Sequence, residues 1–314
     1  MPFFARLRDD LDTRGITLVV AYGEPYNTDQ RARRDIVGNM SADGYGTVRL
    51  PQRSVTLAGR PLVHKRLGGL QHEADVLVVD QSLRNVELYP LLLRQAAGRG
   101  PVVAMWDHGR TYTKPQSALE QSLKYALTRR ARWFFSYTDG GARAVVDHGF
   151  PARRVTVVQN AVDTTALTAA RDALTARQIT DARAAYGLTP GRTGLFVGAL
   201  SPAKRIGFLT NAAERIGRRL PGFKLLVAGA GEDEQRLHEA ASPVVVPVGR
   251  ADDARKALLG AVSDVLLMPG LVGLCAVDSF ALRTPIVTTR WLWHAPEFEY
   301  LTDGRNAVVT ADDE

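Results

Sequence analysis

The run "SDVLLMPGLVGLCAVDSFALRTPIVTT", residues 263 to 289, sets the architecture of the chain. Residues 263–269 are apolar on both faces, as a strand buried inside a parallel sheet must be. Gly270 and Gly273 then free the backbone for a tight turn and lead into a helix from about Gly273 to Arg283. Pro285 opens "PIVTT", a second β-branched run. A strand, a helix and a strand in so short a span form the crossover that joins neighbouring parallel strands. From Met268 to Thr289 the one carboxylate, Asp278, stands about a turn and a half beyond Gly273, and it demands a reason.

The same grammar extends outward. "TGLFVGA" (193–199), "FKLLVAG" (223–229) and "PVVVPVG" (243–249) read as buried parallel strands, as do "ITLVVAY" (16–22), "ADVLVVD" (74–80), "PVVAMW" (101–106), "RWFFSY" (132–137) and "RVTVVQ" (154–159). Between the two sets, residues 163–192 are polar, helix-forming and strandless. The fold class is therefore α/β, with two Rossmann-like, doubly wound domains. The expected boundaries are 1–165, a helical linker at 166–190, and 191–314.

The 314 residues allow two domains with separate cores. A composition 45% hydrophobic and 23% charged is that of a globular protein. Forty Lys and Arg against 33 Asp and Glu give +7, which suits an anionic ligand or an anionic membrane surface. The basic residues are scattered, so a nucleic-acid partner is not expected. Cys275 is the single cysteine, which excludes an internal disulfide and a multi-cysteine metal site. The six histidines show no ligand spacing, and no metal is expected. The start lacks a signal-peptide pattern and no run reaches membrane-spanning length, so a cytoplasmic protein is expected.

Ligands of doubly wound sheets sit beyond the carboxyl ends of the strands, and four junctions there stand out. In "LFVGALSPAKRIGFL" (195–209), Ser201 is placed to cap a helix, Pro202 fits its first turn, and Lys204 and Arg205 project from it. Helix amides with two cations suit a diphosphate, although two solvated surface cations would read the same way. Gly273 opens the second junction, and Asp278 beyond it can accept bonds from the vicinal hydroxyls of a ribose or lie exposed on an outer helix face. "VVAMWDHGRTYTK" (102–114) places Asp107, His108 and Arg110 after a strand, where His108 either contacts a sugar or is structural. "VVQNAVDTT" (157–165) ends the first half with Asn160 and Asp163. "AGAGEDE" (228–234) lacks the third small residue of a dinucleotide fingerprint and reads as a tight turn, which leaves a nicotinamide-dependent oxidoreductase weakly supported.

Taken in order, "FVGALSPAKRIGFL", "KLLVAGAGED", "SDVLLMPGLVGLCAVDSFALRTPIVTT" and "HAPEFEYLTDGRNAVV" resemble the donor half of the retaining GT-B glycosyltransferases of family 4, the glycosyl transferases group 1. "MWDHGR" and "VVQNAVDTT" resemble the acceptor half. The resemblance implies two Rossmann-like domains facing a cleft. It implies a nucleotide-diphosphate sugar as co-substrate, no other cofactor, and a saccharide or lipid-linked acceptor met at the inner face of a membrane. Onto this chain it places Lys204 and Arg205, with Ala199 and Ser201 in the same loop, at the diphosphate. Gly273 and Leu274 fall at the distal phosphate, Asp278 at the ribose, Arg250 at the nucleobase and His108 across from the donor sugar.

This chain also departs from the pattern. The first acid of E-x7-E, which in the family holds donor-sugar hydroxyls, aligns with Gly270, and the second is shortened to Asp278. Ala199 stands where a basic residue is frequent, and Arg283 where a glycine is common. Relatives open with a strand before the helix that "PFFARLRDDL" resembles and continue with helices beyond the "DGRN" segment, so the chain is expected to be short at both ends. Two functions follow as expectations: retaining sugar transfer in bacterial polysaccharide or glycoconjugate synthesis, with His108, Lys204 and Asp278 as catalytic residues, and non-catalytic nucleotide-sugar binding.

Overall fold

The computed structural model describes residues 2–23, 47–57 and 59–313. Its elements in chain order are α1 (Pro2–Asp12), β1 (Val20–Tyr22), β2 (Thr47–Arg49), β3 (Gln52–Leu57), β4 (Arg60–Lys65), α2 (Leu70–Glu73), β5 (Val76–Val79), α3 (Leu88–Ala96), β6 (Val102–Asp107), α4 (Ala118–Thr128), β7 (Trp133–Ser136), α5 (Asp139–Asp147) and β8 (Val155–Val157). There follow α6 (Thr165–Asp172), α7 (Ala176–Tyr186), β9 (Thr193–Val197), α8 (Ile206–Arg219), β10 (Lys224–Ala228), α9 (Glu234–Glu239), β11 (Val245–Gly249), α10 (Asp253–Ala261), β12 (Val265–Met268), α11 (Cys275–Leu282), β13 (Ile286–Thr289) and β14 (Ala307–Thr310). They divide into two compact units. The first comprises Met1–Arg110, Gln116–Tyr137 and Gly141–Val158, and the second Thr111–Pro115, Thr138–Gly140 and Gln159–Glu314.

In the first unit β5, β6, β7 and β8 form a parallel sheet in that order. Val103, Met105 and Phe134 on one face meet Leu88, Leu91 and Leu92 of α3. The segment 16–22, expected as another strand of that sheet, contributes only β1, which pairs with β2 in a separate two-stranded sheet. An antiparallel hairpin, β3–β4, has no counterpart in the sequence expectations. Alternation is confined to Ser54–Leu57, too short to mark a hairpin, and its apolar residues Val55 and Leu57 stand exposed. The opposite face of the larger sheet also departs from the both-faces-buried expectation, because Val76, Val78 and Val102 stand exposed among the described residues.

The second unit is a six-stranded, all-parallel sheet in the order β11-β10-β9-β12-β13-β14. Phe196, Leu225, Val227 and Leu266 face Ile206, Leu209 and Ala213 of α8. Leu195, Leu226 and Val248 point the other way, against Leu259 of α10 and Ala182 of α7. Helices on both faces are why these strands are apolar throughout rather than alternating. The residues expected to link the domains fold as α6 and α7. Thr175 and Gln178 close a capping box at the start of α7, and Gly187 ends it at φ 60°. Leu167 of α6 is buried with Ala257 and Leu282.

The strand order reverses between β9 and β12, so the crevice beyond their carboxyl ends is where such a sheet binds ligands. The loop after β9 is shaped by the turn after β10. Leu200 donates its N–H to Ala230 at 3.0 Å and its carbonyl accepts from Asp233 at 3.1 Å. A Cβ on Gly229 would collide with the Gly198 carbonyl oxygen, so "AGAG" is a turn that lets two backbones meet. Gly229→Ala should therefore lower the unfolding free energy by about 1–3 kcal/mol, the usual cost of forcing atoms into a packed site, as read by urea denaturation.

Candidate functional site

The loop after β9 does not run straight into a helix. Ser201 makes no side-chain cap, contrary to the sequence expectation, and Pro202–Lys204 form a single 3-10 turn. Arg205 then takes a left-handed conformation, φ 56°, and α8 begins only at Ile206. The neighbouring loop after β12 supplies the physical reason. Leu271 donates its N–H to the Ala203 carbonyl at 2.8 Å, drawing the 202–204 turn toward β12 before the helix starts. Ala199 is exposed in the same loop and Ser201 partly buried.

Gly270 is the pivot of this contact. A Cβ there would lie 2.7 Å from the Lys204 carbonyl carbon and 2.8 Å from its oxygen, and inside contact distance of the Ala203 oxygen. A side chain at 270, including the acid of the family pattern, is incompatible with this packing.

Lys204 reaches across and donates from Nζ to the Leu271 carbonyl at 2.5 Å. Its charge is thereby fixed close to the start of α11, where Leu274 is the helix N-cap without a side-chain cap. The first N–H groups of a helix have no intrahelical acceptor, so Gly273, Leu274 and Cys275 open a donor-rich helix start beside a cation. Arg205 pairs with Asp312 and lies over the Phe208 ring at 4.2 Å. Cys275 is buried, and that burial pushes its thiol pKa up, which makes it packing rather than a nucleophile.

Asp278 lies in the first turn of α11 and is not on an exposed face. Its carboxylate is 3.7 Å from Lys256 Nζ of α10, both side chains 19% exposed, and Lys256 also holds Asp253 at 2.9 Å. Burial raises the Asp278 pKa, with the Lys256 charge opposing. Arg283, where the family has glycine, ends α11 at φ 58°, the left-handed position that glycine fills without strain. Arg250 follows β11 directly and is separated from β9 by β10. His108 belongs to the first unit, after β6, with its ring 4.6 Å from that of Tyr137 and its backbone N–H donating to Asp107.

The second unit thus gathers Lys204, Arg205, Gly273 and Leu274 at one place, with Asp278 one turn deeper. Sequence reasoning missed the partners of two of them, Lys256 beside Asp278 and Asp312 beside Arg205. Asp278 is a charge kept in a partly buried place where desolvation outweighs its partner. Asp278→Asn should consequently raise the thermal midpoint of the unliganded protein at pH 7, as read by calorimetry. A drop of several degrees would show instead that the ion pair with Lys256 holds α10 to α11.

Comparison with known proteins follows these features. The family model described as glycosyl transferases group 1 matches residues 191–314, which is under half of the chain. No curated protein sequence matches. Among solved structures, Anabaena HepE in complex with UDP-glucose aligns at TM-score 0.54 and 18% identity over 76% of this chain and 65% of that one. The present chain thus spans less than two thirds of that relative. HepE in complex with UDP aligns at TM-score 0.61 and 16% identity, covering 93% and 85%. A glycosyltransferase from Rickettsia africae aligns at TM-score 0.66 and 10% identity, covering 99% and 80%. At these identities the likeness establishes the fold, a GT-B arrangement of Rossmann-like domains.

Proposed function

We propose that this protein is a glycosyltransferase that takes a sugar from a nucleotide-diphosphate donor held by its second unit. The observation that carries the reading is Lys204, bonded to Leu271 at the mouth of the α11 helix start, at the switch point of the sheet. The family match over the same residues, 191–314, and the fold shared with a protein crystallised with UDP-glucose support it.

The chemistry follows from charge. When a glycosyl–phosphate bond breaks, negative charge grows on the departing diphosphate. Amides at Gly273 and Leu274 and the ammonium of Lys204 stabilise that charge without rearranging. Arg205 adds a second cation once a diphosphate competes with Asp312, and Asp278 receives the ribose hydroxyls. Arg250 faces the base. Retention at the anomeric carbon, His108 as the group facing the sugar, a saccharide or lipid-linked acceptor and a role in polysaccharide synthesis belong to the same proposal. So does leaving-group stabilisation by the protein alone. Among the described residues no cluster of three metal-binding side chains occurs, and no helix is long and apolar enough to cross a membrane. Peripheral contact with an anionic inner leaflet from the cytoplasmic side remains part of the reading.

A second reading, nucleotide-sugar binding without transfer, is favoured by Gly270 alone. The Ala203–Lys204 backbone occupies the space that an acid would need to hold sugar hydroxyls. A thermal-shift screen with UDP, GDP, ADP and their sugars, followed by release of diphosphate with saccharide acceptors, separates the two readings. Lys204→Ala should weaken binding of the preferred nucleotide diphosphate at least tenfold, as a charge-assisted contact does. Undiminished binding in a folded Lys204→Ala variant would overturn the site assignment.

A further inference from the structure

The loop after β12 has a second support that faces away from Lys204. His294 is buried, 5% exposed, with its ring stacked on Phe298 at 4.0 Å between centroids and 6° between planes. Its Nδ1 accepts the N–H of Val272 at 3.0 Å, and its Nε2 lies 2.9 Å from the Thr289 carbonyl oxygen. These partners define the ring's state. An N–H can be received only by an unprotonated nitrogen, so Nδ1 is bare, and a carbonyl requires a donor, so Nε2 carries the proton. Burial holds His294 below its ordinary pKa, and the charges of Lys204 and Arg205 act in the same direction, opposed by the bond to Thr289 and by Asp312. A neutral imidazole supplies an acceptor here without adding a third cation.

The bond to Val272 is directional in its consequence. Val272 immediately precedes Gly273 and Leu274, and its carbonyl accepts from Ala295 N–H at 2.8 Å. One residue earlier, Leu271 is bound on both sides by Ala203 and Lys204. The backbone that presents the helix-start amides is therefore fixed from two directions, by the 203–204 turn and by the 294–295 segment. Only the His294 bond is made by a side chain of the latter segment. Losing it strands a buried N–H, and a stranded N–H turns toward any other acceptor, taking with it the 271–272 peptide plane, whose Leu271 carbonyl holds Lys204 Nζ.

We infer that His294 is a positioning residue for the donor site: by accepting the Val272 N–H it fixes the 271–272 peptide, whose Leu271 carbonyl holds Lys204 and which leads into the Gly273 and Leu274 amides. This rests on the reading of Lys204 and those amides as a diphosphate cradle. It does not depend on contact between His294 and the ligand.

Three variants separate positioning from packing. His294→Asn keeps an acceptor near the Nδ1 position, His294→Gln places its polar group near Nε2, and His294→Phe keeps only the stacked ring. Affinity of the full chain for UDP, GDP and ADP is read by calorimetry, and amide exchange over residues 272–275 is read by mass spectrometry without ligand. The expected result is binding within about threefold of wild type for the Asn variant and about tenfold weaker for Gln and Phe, the effect of one buried bond. Exchange should quicken in Gln and Phe and stay slow in Asn. Equal affinity and equal exchange across the three folded variants would overturn the inference and reduce His294 to packing. If wild type binds none of the three nucleotides, the donor-site reading fails by itself, while the exchange pattern still decides whether His294 fixes the turn.

Discussion

The close approach of two backbones at Gly270 governs the second unit's loops. With no side chain in the way, Leu271 reaches Ala203, and this one hydrogen bond draws the loop after β9 against the loop after β12. The rest follows in order. The 202–204 turn tightens, Arg205 absorbs the bend in a left-handed conformation, and Lys204 is left within reach of the Leu271 carbonyl. Arg205, turned aside by the same bend, meets Asp312 and the ring of Phe208. A non-glycine residue at φ 56° is strained, and the ion pair and ring contact are what hold it there.

Charge in this region is arranged around partial desolvation. Lys204 donates from Nζ to the Leu271 carbonyl, so its charge is held at a defined place. Asp278 is kept ionisable by Lys256, which itself is shared with Asp253. Both arrangements hold a charge in place ahead of any ligand. That lowers the reorganisation needed when a ligand arrives, and it is the physical meaning of a prepared site.

The parallel sheet of the second unit was legible because both faces are covered, so each strand is a continuous apolar run bounded by loop residues. The approach of the Lys204 loop to the Gly273 loop follows from the sheet order, which sets β9 beside β12 although β10 and β11 lie between them in the chain. The supports were not legible. His294 lies 22 residues from Val272, and Asp312 lies 107 from Arg205, so no local pattern links either pair. The first unit was harder still: alternation in the β3–β4 hairpin is confined to Ser54–Leu57, and β1 pairs with β2 rather than with the longer runs that resemble it in composition. Ser201 shows the limit of a local rule. It sits correctly for a cap, but the bond between Ala203 and Leu271, about 68 residues apart, shapes the backbone after it.

Gly270 also bears on what the site can recognise. An acid at this position would project from the β12 loop toward the ligand space, yet here that path is closed by the Ala203–Lys204 backbone. Restoring the acid alone would therefore not restore its interaction, because the 202–204 turn would first have to withdraw, breaking the Leu271 bond and releasing Lys204. The bare backbone at Gly270 and the placement of Lys204 are thus one structural arrangement. What the packing provides here is a held cation, Lys204 on the Leu271 carbonyl.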